Sequence, residues 1–541
     1  MDAFVMAWGL SNPSAAIGEF ILASSIHHCH TLAMGMKALR KTRRWPVPIM
    51  VLLTGSAHAA TWTVDDDLAD FPAADFSDIQ SAVDAASHGD EVIVYPGTYT
   101  GAGDQVVNMM GKSILLRGVG GLEQTVIDGE SMRRCLISTT NFAATTEIEG
   151  FSFRGGAAGS GGGIYVVSTS PTFRNCLIEG CAATASGGGV LVNNSEAVFE
   201  QCTVTGNEAA VNGGGLCVLN SDATMRTCTI VLNTSGGNGG GLWADGSSID
   251  LIECDVIQNT TAHAGGGIRI SGPFATPRFD RCSFSDNSAT GSYAGGGGVY
   301  SYECEPEFIN CIMSGNYAGG STGSGGGVLC WNSEATLTDC QITGNEVTYR
   351  GGGLWAYDCS PTLATCDLSD NVAALGGGLA CEDHADPTLD VCKVSGNHAE
   401  RGGGVWCLQF SKPHLIACLV SENIADIEGG GILSSTNGCN PAAGLTSFCH
   451  NLPTHIDGWS WQDLGGNCFV DTCDDVNGDG LPDACQCLPD FNGDQQVAID
   501  DMLQLLAAWA CTECPVEDLN GDGIVNIDDL LAVMANWGAC A

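Results

Sequence analysis

The stretch "GGGLWADGSSIDLIECDVIQNTTAHAGGG" (residues 239–267) decides the fold. It opens and closes on a glycine triplet, and its interior has a fixed grammar. Leu251 stands three residues before Cys254, Val256 two after it and Asn259 five after it. The same grammar recurs along the chain. Triplets begin at Gly161, Gly187, Gly213, Gly239, Gly265, Gly296, Gly325, Gly351, Gly376, Gly402 and Gly429, in steps of 26, 26, 26, 26, 31, 29, 26, 25, 26 and 27. Between them lie Cys176, Cys202, Cys228, Cys254, Cys282, Cys311, Cys340, Cys366, Cys392 and Cys418. From Cys202 onward, asparagine follows five residues later, from Asn207 to Asn423; in the first unit Cys181 takes that place.

Apolar runs of two to four residues that alternate with polar ones carry strand periodicity, and helices of ten residues do not fit between the triplets. Short strands at a fixed period predict an all-β, right-handed parallel β-helix, with about three strands and three turns per rung and rungs stacked ~4.8 Å apart. Like residues then stack on like. Buried asparagines should bond to one another and to backbone. The cysteines should pack as reduced, small apolar side chains, because parallel side chains on adjacent rungs do not aim at each other as a disulfide requires. The triplets fit neither a phosphate-cradling loop nor a dinucleotide fingerprint, since no long helix follows them. The order of elements in "FSDNSATGSYAGGGGV" (284–299) resembles the repeats of the polymorphic outer-membrane-protein family. That resemblance implies a surface-exposed β-helix, in some members an adhesin.

The chain has 541 residues, 62 acidic and 19 basic, for a net charge of −43. This excess of carboxylates argues against nucleic acid or an anionic membrane as partner. In "MKALRKTRRWPVPIMVLLTGSAHAA" (36–60), a basic stretch, a short apolar core and Ala57-His58-Ala59 predict an export signal, with Met36 the expected start and residues 1–59 the signal region. Export implies an oxidising compartment for the 28 cysteines.

Residues 60–160 should form an N-terminal cap and the first rungs. Phe76, Ile79, Val83 and Ala86 share a helical face, and Gly89 stops the helix. With Gln80, Asp90, Pro96, Gly97 and Tyr99, this segment resembles the opening of pectate-lyase-like β-helices, a likeness that implies a plug on the open end of the stack. The GGG-repeat β-helix spans 161–437. In 438–487 cysteines cluster irregularly and are expected to form disulfides.

The tail, 488–541, carries oxygen ligands at calcium-loop spacing. "DLNGDGIVNIDD" offers Asp518, Asn520, Asp522, the Ile524 carbonyl and Asp529; "DFNGDQQVAIDD" offers Asp490, Asn492, Asp494, the Gln496 carbonyl and Asp501. A shorter run, "DVNGDGLPDAC", adds Asp475, Asn477, Asp479 and Asp483 and resembles thrombospondin-type calcium repeats. Each full loop leads into a helix. The pair resembles a dockerin, a small α-helical module, which implies Ca²⁺ and a cohesin-like partner.

Two features of the rod carry the functional expectation. The residue two past each triplet should face outward, and five of these eleven are aromatic: Tyr165, Trp243, Tyr300, Trp355 and Trp406. Such a line can stack against sugar rings or a protein. The turns also gather acidic residues, Glu303, Glu305, Glu307, Glu334, Asp358, Glu382, Asp383, His384 and Asp386. Carboxylates paired across rungs could serve glycoside chemistry, or they form a solvated acidic face. The sequence thus reads as an exported calcium-binding repeat protein that binds or adheres at the cell surface or outside the cell, towards polysaccharide or surface glycan. A dockerin-borne polysaccharide lyase or glycoside hydrolase and a purely structural surface protein are the alternatives. No membrane span is expected in the mature chain.

Overall fold

A computed structural model of the chain describes residues 59–141, 146–473, 496–511, 524–535 and 538–539. The export signal lies outside these residues. The chain is a right-handed parallel solenoid of about 15 turns, roughly 26 residues per turn.

Each rung of the triplet region contributes four strands rather than three. In the rung of Gly239 these are Leu242–Asp245, Asp250–Ile252, Asp255–Ile257 and the two-residue Thr260–Thr261. They join four parallel sheets, of 14, 16, 15 and 11 strands in that order, here sheets I to IV. The fourth strand is short because it fits between the asparagine turn and the next triplet. Register is strict: Leu242 pairs with Leu216 and Ile268, and Leu251 with Met225 and Phe279.

The lumen is filled as the alternation requires. Leu242, Ala244, Leu251, Cys254 and Val256 are buried in one continuous core. Apolar burial of this kind contributes roughly 1.5–3 kcal/mol per large side chain. The asparagine ladder is fully bonded. Asn259 Oδ1 accepts from the backbone N–H and the Nδ2 of Asn233 at 3.0 Å each, while Asn259 Nδ2 donates to Asn287 Oδ1 at 3.0 Å and to the Ile230 carbonyl at 2.9 Å. The cysteine ladder is reduced and buried. The Cys254 thiol donates to the carbonyls of Met225 and Ile252 at 3.4 and 3.3 Å.

The triplets close each rung, and every glycine in them is required. Gly239 has φ +61°, and a Cβ on Gly240 would sit 2.3 Å from the Gly266 carbonyl oxygen of the next rung. At Gly241 it would sit 2.8 Å from the next rung's Gly267 carbonyl oxygen and 3.0 Å from the Asn259 side-chain amide.

The rod runs past its last triplet. Ala442–Gly444, Ser447–Cys449, Ile456–Gly458, Gln462–Asp463 and Cys468–Val470 continue sheets I to III, so the segment expected to start a Cys-rich appendix at 438 begins as β-helix. Thr446 takes the cysteine position there and Asn451 ends the asparagine ladder, its Nδ2 donating to the Val420 carbonyl at 2.7 Å. Cys449 and Cys473 form a disulfide, whereas Cys439, expected to be bonded, is a free buried thiol. It sits against Thr436 Oγ1 at 3.2 Å, inside the rung rather than on its surface.

At the other end, helix α1 (Ile79–Ala85) plugs the stack. Asp78 caps it by accepting from the Ser81 N–H, and Ile79, Ala82 and Val83 are buried against the first rungs. Phe76 precedes the helix, bridging to Val64 and packing 5.7 Å from Trp62.

Candidate functional site

The residues two past each triplet do point away from the lumen, but most are not exposed. Tyr300, Trp355 and Trp406 are 9, 8 and 3% exposed, and with Leu329, Ala380 and Leu433 they form a second apolar cluster separate from the lumen. Tyr165 and Trp243 are half-buried. The cause is a wall beside the row. The residue ahead of successive triplets pairs rung to rung, through Ala264, Gly295, Ser324, Arg350 and Leu375, and this line flanks the rings. A Cβ on Gly295 would sit 2.7 Å from Leu329 Cδ1 and 3.4 Å from the Tyr300 ring.

The wall is tallest where the repeat is irregular. The steps of 31 and 29 residues each place three extra residues between the asparagine and the next triplet, in 288–295 and 317–324. Their tips carry Tyr293, 83% exposed, and Thr322. The longer step adds two more residues at the turn 272–275, which holds Phe274 out at 95% exposure.

Under this wall lies a groove of about 520 Å³. Its floor is Arg269, Tyr300, Leu329, Trp331 and Trp355, and its wall includes His263, Tyr293, Ser324 and Arg350. A second row of rings, two residues further along each strand, borders the floor. Tyr302, Trp331 and Tyr357 stand in register on three consecutive rungs. Trp331 is 39% exposed and contacts Tyr302 at 6.2 Å, Tyr357 at 5.0 Å and Trp355 at 6.3 Å between centroids. This open platform was not anticipated from the outward row. Its signal in the sequence is the recurrence of Tyr302, Trp331 and Tyr357 at the same offset from their triplets.

Charge flanks the rings on both sides. Glu382 follows Tyr357 in the second row and forms an ion pair with Arg350 at 3.2 Å. Burial raises the Glu382 carboxyl above its ordinary value, with Arg350 opposing. Arg350 also lies 4.2 Å over the Tyr349 ring and near Trp355 and Trp406. Burial pushes the Tyr300 hydroxyl up to about 12, so it is a neutral donor at physiological pH.

The other acidic residues are dispersed. Glu307 begins a sheet II strand and pairs with Arg278 at 3.3 Å. Glu334 Oε2 accepts from the Ser360 N–H at 3.0 Å and Asp386 Oδ1 from the Lys412 N–H at 2.7 Å, which makes both turn-holding groups. Glu303, Asp358, Asp383 and His384 occupy left-handed turn positions. Glu303, Glu305 and Glu334 line a smaller hollow under Phe274.

In the tail, Gln496, Asp501, Ile524 and Asp529 are described. Asp475, Asn477, Asp479, Asp483, Asp490, Asn492, Asp494, Asp518, Asn520 and Asp522 lie outside the described residues. Helices α2 (Ile499–Ala507) and α3 (Ile527–Ala535) repeat one geometry. Asp501 and Asp529 are buried, and each carboxylate accepts at 2.8 Å from the backbone N–H ahead of its helix, on Ala498 and Asn526. Val497, Leu505, Val525 and Val533 form their shared core.

A family model described as the right handed beta helix region matches residues 121–230 and 162–327, in agreement with this architecture. No curated protein matches the chain. Among solved structures it is similar to tailspike protein 3 of bacteriophage CBA120, at 11% identity over 73% of this chain and a TM-score of 0.32. This chain spans 58% of that tailspike. It is also similar to the PL6 family alginate lyase AlyGC, at 11% identity over 76% of this chain and 81% of that one, with a TM-score of 0.31. Pectate lyase Pel9A shows 13% identity over 71% and 80%, with a TM-score of 0.26. Among the described residues, no helix is long and apolar enough to cross a membrane.

Proposed function

We propose that this is an exported glycan-binding β-helix, acting at the cell surface or outside the cell, whose groove on sheet I holds a polysaccharide chain. One observation carries the reading: the platform Tyr302–Trp331–Tyr357, continuous with Trp355 and walled by the lengthened turns. Trp331 lies 6.2 Å from Tyr302 and 5.0 Å from Tyr357 between centroids with the rings inclined to one another, and sugar faces stack on exposed aromatic side chains such as Trp331. The polar groups around them can orient hydroxyls. The test is retention on an array of plant, algal and bacterial polysaccharides. Binding that disappears in Trp331→Ala, with an unchanged melting temperature, supports the reading. No retention on any glycan would contradict it.

Glu382 favours catalysis as a second reading. A buried carboxyl with a raised pKa, paired with Arg350 of the groove wall, is a candidate general acid beside the groove. Incubation with bound glycans, monitored for unsaturated products and for reducing ends, separates a lyase or hydrolase from a binder.

The tail is the attachment module in this reading. The two-fold repetition of buried Asp501 and Asp529 at the last position of each loop supports Ca²⁺ at both. Each helix also exposes the same apolar stripe, Ile499, Leu503 and Leu506 on one and Ile527, Leu531 and Met534 on the other. Such faces suit a cohesin-like protein partner. Calorimetry of the full chain should show calcium binding. No heat at millimolar calcium would remove this part of the reading.

A further inference from the structure

The groove floor holds a cation, Arg269, that has no hydrogen-bond or ion-pair partner among the described residues, and its surroundings bear on the charge of the ligand. The inference rests on the glycan-binding reading above. Three arginines reach the outward row of rings. Arg134 lies 4.6 Å over Tyr165 and donates to the Gly161 and Ser160 carbonyls at 2.8 Å each. Arg350 stacks on Tyr349 and is held by Glu382 through one terminal nitrogen, with its Nε buried and unpartnered. Arg269 lies 5.2 Å over Tyr300 on the groove floor and makes no hydrogen bond or ion pair among the described residues, its Nε being buried and unpartnered.

Arg269 stands in a chain of net charge −43, where the surface arginines Arg174, Arg278 and Arg281 are each bonded to carboxylates. On the adjacent rung the Trp243 indole N–H is also buried without a partner. Both groups are donors only; a guanidinium has five N–H bonds and no acceptor. Leaving such donors desolvated is costly, and the ligand that offsets the cost brings acceptors and negative charge. The planar fork of a guanidinium matches a carboxylate or a sulfate, and the exposed Trp331 on the same groove floor offers a face for the sugar that bears the group.

The geometry points to an acidic polysaccharide as the ligand, with a uronate carboxylate or a sulfate ester seated on Arg269, the residue that sets specificity. The test is calorimetric titration of the full chain with oligogalacturonate and oligomannuronate for the carboxylate, a carrageenan oligosaccharide for the sulfate, and an unsubstituted β-glucan oligosaccharide as the neutral arm. The wild type, Arg269→Gln, Arg269→Lys and Trp331→Ala are compared, with thermal melting to verify each fold. The expected result is binding in a carboxylate or sulfate arm that weakens about tenfold or more in Arg269→Gln, in line with a lost charge-assisted hydrogen bond, and is partly restored in Arg269→Lys. The arm that binds identifies the anionic group. Equal binding of the neutral oligosaccharide, lost in Trp331→Ala but indifferent to Arg269→Gln, would overturn the inference and leave the glycan reading intact. No binding in any arm would overturn both.

Discussion

The rungs from Gly161 to Gly265 and those from Gly265 to Gly351 share one lumen and differ in their outer surface. In the first set every step is 26 residues, and the outward row sits beside low turns. In the second, steps of 31 and 29 raise a wall, enclose a groove and hold Tyr293 and Phe274 out into solvent. The interior tolerates none of this variation. Leu251, Phe279, Phe308 and Leu337 pair in register straight through the irregular rungs. The period therefore encodes stability, and departures from it encode the surface available for recognition.

The largest effect should come from breaking the regular part. Gly240→Val drives a branched side chain into the Gly266 carbonyl, and a loss on the order of 4–5 kcal/mol is expected, seen as failure to fold or a collapsed denaturation midpoint. Asn259→Leu is next. It removes the acceptor for two Asn233 donors and should cost about 3 kcal/mol in urea denaturation. A wild-type midpoint in either variant would show that the lumen is not held as described.

The irregular part should respond in the opposite way. Tyr293→Ser at the wall tip should change stability by less than about 0.5 kcal/mol while weakening glycan retention. If Tyr293→Ser destabilised the fold as Asn259→Leu does, the separation of roles would fail. The smallest effect is a pH dependence from Glu382. Its folded carboxyl holds a proton that the unfolded chain, near 4.5, releases. Stability should fall as pH rises from about 4.5 through the raised value, and Glu382→Gln should flatten that segment of the stability profile.

The same division explains what was legible in the sequence. A ladder needs one residue type at one position on every rung, so Asn207 to Asn423 and the cysteines were readable from spacing. The last rung was not, because Thr446 replaces cysteine and no triplet follows Asn451. The tyrosines and tryptophans two past the triplets were correctly turned away from the lumen. Their burial was not legible, because it depends on a wall built by residues ahead of the triplets, and strand alternation carries no information about a neighbouring turn. The Trp331 platform has a signal in the sequence, one aromatic six past the start of three successive triplets, but the exposure of Trp331 beside a buried first row was not legible. The lengths 31 and 29, and the turns that receive the added residues, were visible in the spacing, but not the groove that those turns enclose.

The residues at calcium-loop spacing follow a different logic. Their spacing is local and therefore plain in the sequence, and Asp501 and Asp529 repeat one buried geometry.

The most direct test of the central claim is hydrogen–deuterium exchange of the full chain with and without the polysaccharide it retains best. Protection confined to peptides spanning 288–302, 317–331 and 349–357, with 161–265 unchanged, is the predicted result. Protection spread evenly along the regular rungs, or confined to the tail, would contradict it.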